Sequence, residues 1–245
     1  MISCMNRRPI TNGVVHVWIV SLSQAAERLE LLRRYLSPDE QFRVQRFILP
    51  QVRDRFIAAR GQLREILADY LSSGPADPVF TYGPHGKPDL SGEGTIPLRF
   101  NLSHSGDLAL VAVNLHHPIG VDIELMRPGR PLRRLADRFF SSREAVALAG
   151  LAEELRTEAF YACWTRKEAY LKAQGTGLAT PLNAFDVTLR PDEPATLIAH
   201  RLNPAETSRW QLVDIQVPDG YRGAVVTAWK EPEIAVLRWN DASFH

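Results

Sequence analysis

The period of the hydrophobic positions changes several times along the chain, and each change predicts an element. Val15, Val17 and Ile19 alternate with His16, Trp18 and Val20, the period of two expected of a short strand. Ser37-Pro38-Asp39-Glu40 then carries the marks of a helix start: a capping serine, proline at the first helical position and acids in the first turn. Pro50 interrupts this helical region. Beyond it Phe56, Leu63, Ile66, Leu67 and Leu71 recur at helical spacing on a face studded with arginine, until Ser72-Ser73-Gly74-Pro75 stops them. Gly83, Pro84, Gly86, Pro88, Gly92, Gly94 and Pro97 predict that segment 83–97 is loop.

Two strands follow, Leu98 to Leu102 and Leu108 to Leu115, then a turn at His116-His117-Pro118 and a third strand, Ile119 to Leu125. Met126 to Pro131 reads as a linker. The order then repeats: helical segments from Leu132 to Gly150, a long helix from about Leu155 to Gln174, and strands at Phe185 to Leu189, Trp210 to Ile215 and Ala224 to Trp229. Helix before antiparallel strands, twice over, predicts an α+β fold of two similar lobes, each a small antiparallel sheet on a long helix. The break falls near residue 125. Residues 1–118 and 119–230 are expected to form the lobes, and 231–245 a tail with one extra strand.

Composition narrows the function by exclusion. With 29 basic and 28 acidic residues in 245, the net charge of +1 lacks the single-sign field of a nucleic-acid-coating protein. No apolar run approaches the roughly 18 residues of a membrane span. Arg7 and Arg8 precede only the short run Val14 to Val20, cut by His16, so a strand is expected there rather than a signal peptide. Two cysteines, Cys4 and Cys163, exclude a disulfide framework and point to a reducing cytoplasm. One asymmetry remains: 25 of the basic residues are arginine and only four are lysine.

Three of those lysines fall in segments that could carry chemistry. In Gly120-Val121-Asp122-Ile123-Glu124 a strand would put both carboxylates on one face, where they repel unless solvated or bridged by a cation. Oxygen-only ligands suit Mg²⁺ or Mn²⁺ rather than zinc; an exposed acidic edge is the plainer alternative. In Trp164-Thr165-Arg166-Lys167-Glu168-Ala169-Tyr170-Leu171-Lys172, Glu168 and Lys172 lie one turn apart on a shared face. A surface ion pair is the alternative there, worth a few tenths of a kcal/mol. Phe100-Asn101-Leu102-Ser103-His104-Ser105-Gly106 reads as a strand ending in a polar turn, a simple turn or an anion cradle. Gly86-Lys87-Pro88 is a loop lysine unless a phosphate lies near. Cys163 reads as a small core residue, and Trp18, Trp210, Trp229 and Trp239 as core or interface aromatics.

Taken together, the Gly86–Pro88, Asn101–Gly106, Gly120–Glu124 and Trp164–Gly177 segments resemble, in that order, the motifs of the 4′-phosphopantetheinyl transferases. The likeness is to their larger, Sfp type, the holo-carrier-protein synthases, and spans roughly residues 15 to 230. The resemblance implies transfer of the 4′-phosphopantetheine arm of coenzyme A to a serine of an acyl, peptidyl or aryl carrier protein, leaving adenosine 3′,5′-bisphosphate. It implies Mg²⁺ (Mn²⁺ as a substitute) on Asp122, Glu124 and Glu168. Glu168 would be the base for the serine, and Lys172 would neutralise or protonate the departing phosphate. His104 and Ser103 would contact the coenzyme A phosphates, and Lys87 with Pro88 its phosphate and adenine end. One of Arg43, Arg46, Arg53 and Arg55 would bind the 3′-phosphate, Arg55 being favoured; Glu40 stands where some relatives carry a basic residue. No nucleic acid and no membrane is expected as partner, and a cytoplasmic monomer is. Alternatives at this point are a non-catalytic coenzyme A or carrier-binding module, a Mg²⁺-dependent phosphohydrolase using the same carboxylates, and a structural α+β interaction protein.

Overall fold

A computed structural model of the chain describes residues 9–91, 96–190 and 192–239; Cys4, Gly92 and Gly94 lie outside them. The first lobe opens with β1 (Val14–Ser21), which buries Val15, Val17 and Ile19 on one face as the alternation predicts. Helices α1 (Ala26–Arg34), α2 (Pro38–Gln45) and α3 (Pro50–Leu71) follow. Pro50 begins α3, where a missing N–H is harmless, so it divides two helices rather than kinking one. Ser72, at φ 55°, closes α3 in the left-handed region. The apolar face of α3 (Ala58, Ala59, Leu63, Ile66 and Leu67) packs on Val20, Leu98, Phe100, Val111 and Val113 of the sheet.

The glycine- and proline-rich segment is not all loop. Here β2 (Phe80–Tyr82) and β3 (Pro88–Leu90) pair as a hairpin, with Phe80 opposite Leu90 and Tyr82 opposite Pro88. Proline is tolerated because it starts an edge strand. A second hairpin joins β4 (Leu98–Ser105) to β5 (Leu108–Leu115) through Gly106 and Asp107, Gly106 having a φ of 59°.

The second lobe begins at β6 (Ile119–Leu125) and continues through α4 (Leu132–Phe139), α5 (Ser142–Ala149) and the long α6 (Glu153–Gln174). Strands β7 (Phe185–Val187), β8 (Leu197–His200), β9 (Gln211–Ile215) and β10 (Tyr221–Thr227) complete it, with β6, β10 and β9 forming an antiparallel sheet under α6. The final strand, β11 (Glu233–Arg238), returns to the first lobe. It lies parallel to β1, giving the order β11-β1-β5-β4, and Trp239 buries itself in the α3 core. The first sheet is therefore not wholly antiparallel, but the α+β plan of a long helix on a small sheet in each lobe stands. Ile19, Leu110 and Ala112 meet Val121, Ile123 and Val225 in an apolar seam between the lobes. Among the described residues no helix is long and apolar enough to cross a membrane.

Candidate active site

Strand β4 lies beside β6, and every second residue of β4 reaches across. Asn101 Oδ1 accepts the Val121 N–H at 2.8 Å. Ser103 Oγ donates to Asp122 Oδ1 at 2.8 Å, and Ser105 Oγ donates to Glu124 Oε2 at 2.7 Å while accepting the Leu125 N–H at 3.1 Å. The Ser-His-Ser segment is thus the end of a strand, and the turn comes after it. Alternation along that strand puts both hydroxyls on the carboxylates and His104 on the opposite face.

The reach of α6 is set by Gly120. A β-carbon there would stand 2.1 Å from the Ala169 carbonyl oxygen and 2.3 Å from the Ala173 nitrogen, so only glycine lets the two backbones touch. This contact brings the Glu168–Lys172 face over Asp122. Lys172 Nζ donates to Asp122 Oδ1 at 2.6 Å and to Ser103 Oγ at 2.8 Å. Asp122 is 4% exposed, and its other oxygen, Oδ2, is buried without a hydrogen-bond partner. Burial pushes the Glu168 carboxyl up from its ordinary value, the negative charges of Asp122 and Glu124 add to the rise, and Lys172 opposes it. Burial also raises Glu124, against the Ser105 hydrogen bond.

These three side chains suit a hard cation in chemistry, all donors being oxygen. Asp122 Oδ2 is the atom that most wants one, because an orphaned buried carboxylate oxygen is costly. Among the described residues no three acidic, histidine or cysteine side chains are already gathered closely enough to hold a metal ion. The Lys172 ammonium instead takes one Asp122 oxygen.

A cationic rim stands beside the carboxylates. Loss of water on its protein-facing side holds the His104 imidazole below its ordinary pKa, as do the charges of Lys172 and Arg55, with a smaller push from Arg43. Arg55 donates through Nη2 and Nε to Asp107 Oδ1, at 2.6 and 3.1 Å, which ties it to the β4–β5 turn. Arg43 stacks its guanidinium 5.1 Å from the centre of the Phe56 ring. Lys172, Arg55 and Arg43 thus all lie near enough to His104 to push it towards its neutral form, a basic margin suited to an anionic ligand.

Residues 118–226 match the 4′-phosphopantetheinyl transferase superfamily, and residues 22–116 match the family described as 4′-phosphopantetheinyl transferase, N-terminal. The 4′-phosphopantetheinyl transferase HetI of Nostoc sp. is 43% identical over 215 residues, covering 87% of each chain. The chain belongs to the 4′-phosphopantetheinyl transferase superfamily. It is a transferase of that family. The 4′-phosphopantetheinyl transferase Sfp of Bacillus subtilis is 29% identical over 203 residues, covering 82% of this chain and 86% of Sfp.

Not every residue marked by the family's motifs stands at the carboxylates. Lys87 turns its ammonium onto two backbone carbonyls, those of Ile119 at 2.9 Å and Lys172 at 2.6 Å, and Pro88 forms the start of β3. Lys167 is wholly buried on another face of α6, paired with Glu144 at 2.9 Å and donating to the carbonyls of Leu182 and Phe185. Glu40 is also turned inward. It caps α2 by accepting the Ser37 N–H at 3.0 Å and receives Arg60 and Arg64. One residue without a predicted role, Ser105, lies at the site. Ser105 is legible once the segment is read as strand, since it then shares the face of Ser103.

Proposed function

We propose that the junction of the lobes is the reacting centre for transfer of the phosphopantetheine arm from coenzyme A to a carrier-protein serine, releasing adenosine 3′,5′-bisphosphate. The observation that carries this reading is Asp122: buried, held by Ser103 and Lys172, with a free oxygen facing no protein donor. Asp122, Glu124 and Glu168 are the residues to hold Mg²⁺, for which Mn²⁺ could substitute. When bound, the ion neutralises pyrophosphate charge and fixes its orientation.

The chain's own groups do the rest. Glu168, its carboxyl raised by burial and by its acidic neighbours, accepts the proton of the attacking serine. Lys172, placed by Asp122 and Ser103, faces the phosphate that leaves and offers it charge or a proton. His104 and Ser103 contact the coenzyme A phosphates. Arg55, with Arg43 beside it, meets the 3′-phosphate, a match for the guanidinium fork. In this reading residues 1–118 supply the phosphate contacts, and residues 119–230 the carboxylates and the catalytic helix. A cytoplasmic monomer completes the proposal, since one chain supplies both lobes. The carrier is an acyl, peptidyl or aryl carrier domain.

The test is a mass measurement on an apo carrier mixed with the protein, coenzyme A and Mg²⁺. Gain of the phosphopantetheine mass, lost in Asp122→Ala and Glu168→Ala that fold normally, supports the reading. Cleavage of coenzyme A without a carrier would point to a hydrolase. Full activity in either variant would end the assignment of the carboxylates.

A further inference from the structure

Lys87 belongs to the β2–β3 hairpin of the first lobe, yet both hydrogen bonds of its side chain are made to the second. One goes to the carbonyl of Ile119, the first residue of β6; the other goes to the carbonyl of Lys172, in the last turn of α6. A helix leaves its last four carbonyls without helical N–H partners, and Lys172 is one of these. The Leu171 carbonyl, next to it, is taken by the Gly175 N–H at 3.0 Å, whereas the Lys172 carbonyl receives the Lys87 ammonium. An ammonium at that position also meets the negative end of the helix dipole. The two anchored carbonyls flank the Gly120 contact, where β6 and α6 touch without a side chain between them. With two of its three N–H groups committed, Lys87 has one left for anything else.

We infer that Lys87 is a positioning residue: its ammonium clamps the end of α6 to the start of β6 and so sets where the Lys172 side chain meets Asp122 and Ser103. The effect passes through the backbone of Lys172. A small shift there moves the Nζ that sits on Asp122, and misplacement by about 1 Å can cost roughly 10²-fold in rate. The inference rests on the reading of Asp122, Glu168 and Lys172 as the reacting centre. It differs from a phosphate contact by Lys87, which would act on coenzyme A affinity.

The experiment is steady-state kinetics with an apo carrier, together with coenzyme A binding, for Lys87→Met, Lys172→Met and the double variant. Lys87→Met is expected to lower kcat roughly tenfold or more while coenzyme A affinity stays within about threefold. In the Lys172→Met background the same substitution should cost less than about twofold, because the side chain it places is gone. The inference is overturned by a tenfold loss of affinity with kcat retained, by an unchanged kcat, or by the same loss in both backgrounds. If Lys172→Met and Glu168→Gln keep wild-type turnover, the site reading itself has failed, a result distinct from a silent Lys87. Should Lys87→Met not fold, as judged by circular dichroism, Lys87→Gln is read by the same measures.

Discussion

Lys172 and Asp122 meet at 2.6 Å, ammonium to Oδ1, beside the Gly120 contact where α6 and β6 lie backbone to backbone. Lys172→Ala leaves Asp122 with only Ser103 and, in the proposed reaction, removes the charge offered to the departing phosphate. Turnover should fall by about 10² or more, with a much smaller change in coenzyme A affinity. Steady-state kinetics decide this. The reverse pattern would reassign Lys172 to binding.

Asp122 Oδ2, buried and without a partner, predicts a cation that stabilises the fold as well as the reaction. A chelator should abolish activity and Mg²⁺ restore it. Mg²⁺ should also raise the melting temperature of the wild-type protein and leave that of Asp122→Asn unmoved. An equal shift in both proteins would place the ion elsewhere.

Gly120→Ala puts a methyl group into the Ala169 carbonyl and the Ala173 nitrogen. Neither backbone can yield without prising α6 from β6, so a loss of about 1–3 kcal/mol or more is expected. Chemical denaturation measures it. Residual folded protein should turn over slowly, because Glu168 and Lys172 ride on the displaced helix. Wild-type stability would show that the contact is looser than it stands.

Glu40 is 2% exposed and receives Arg60 Nε at 2.6 Å and Arg64 Nε at 2.7 Å, with both guanidinium groups within 5 Å of the Phe80 ring centre. Glu40→Ala strands two buried cations, which should cost about 3–5 kcal/mol of stability. Coenzyme A affinity of the folded fraction should stay near wild type. If affinity collapses while the denaturation midpoint holds, Glu40 faces the ligand after all.

The strands and helices with a clear period were legible in the sequence: β5 and β6 fall on their predicted residues, and α6 begins two residues before Leu155 and ends at Gln174. The β2–β3 hairpin was hidden because three-residue strands carry no period, and glycine and proline around them mimic a loop. Strand β8, four residues long, was missed for the same reason. At the site, the acidic strand and its helix could be read because their spacing matches a strand period of two and a helical turn of four. The scarcity of lysine misled in part. Lys172 stands at the carboxylates, but Lys167 is an internal strut and Lys87 a backbone clamp, and only tertiary contact separates these roles. Glu40 likewise looks like an acid where a ligand contact could stand until its two buried arginines are seen.

The parallel pairing of β11 with β1 makes the order of manufacture differ from the order of architecture. As the chain leaves the ribosome, everything from α1 to β10 emerges before the strand that completes the first sheet. The lobe begun first is thus the last to have all its residues available, Trp239 of the α3 core among them. The two lobes are consequently not separable modules: cutting the chain at residue 118 would strip the first of its own edge.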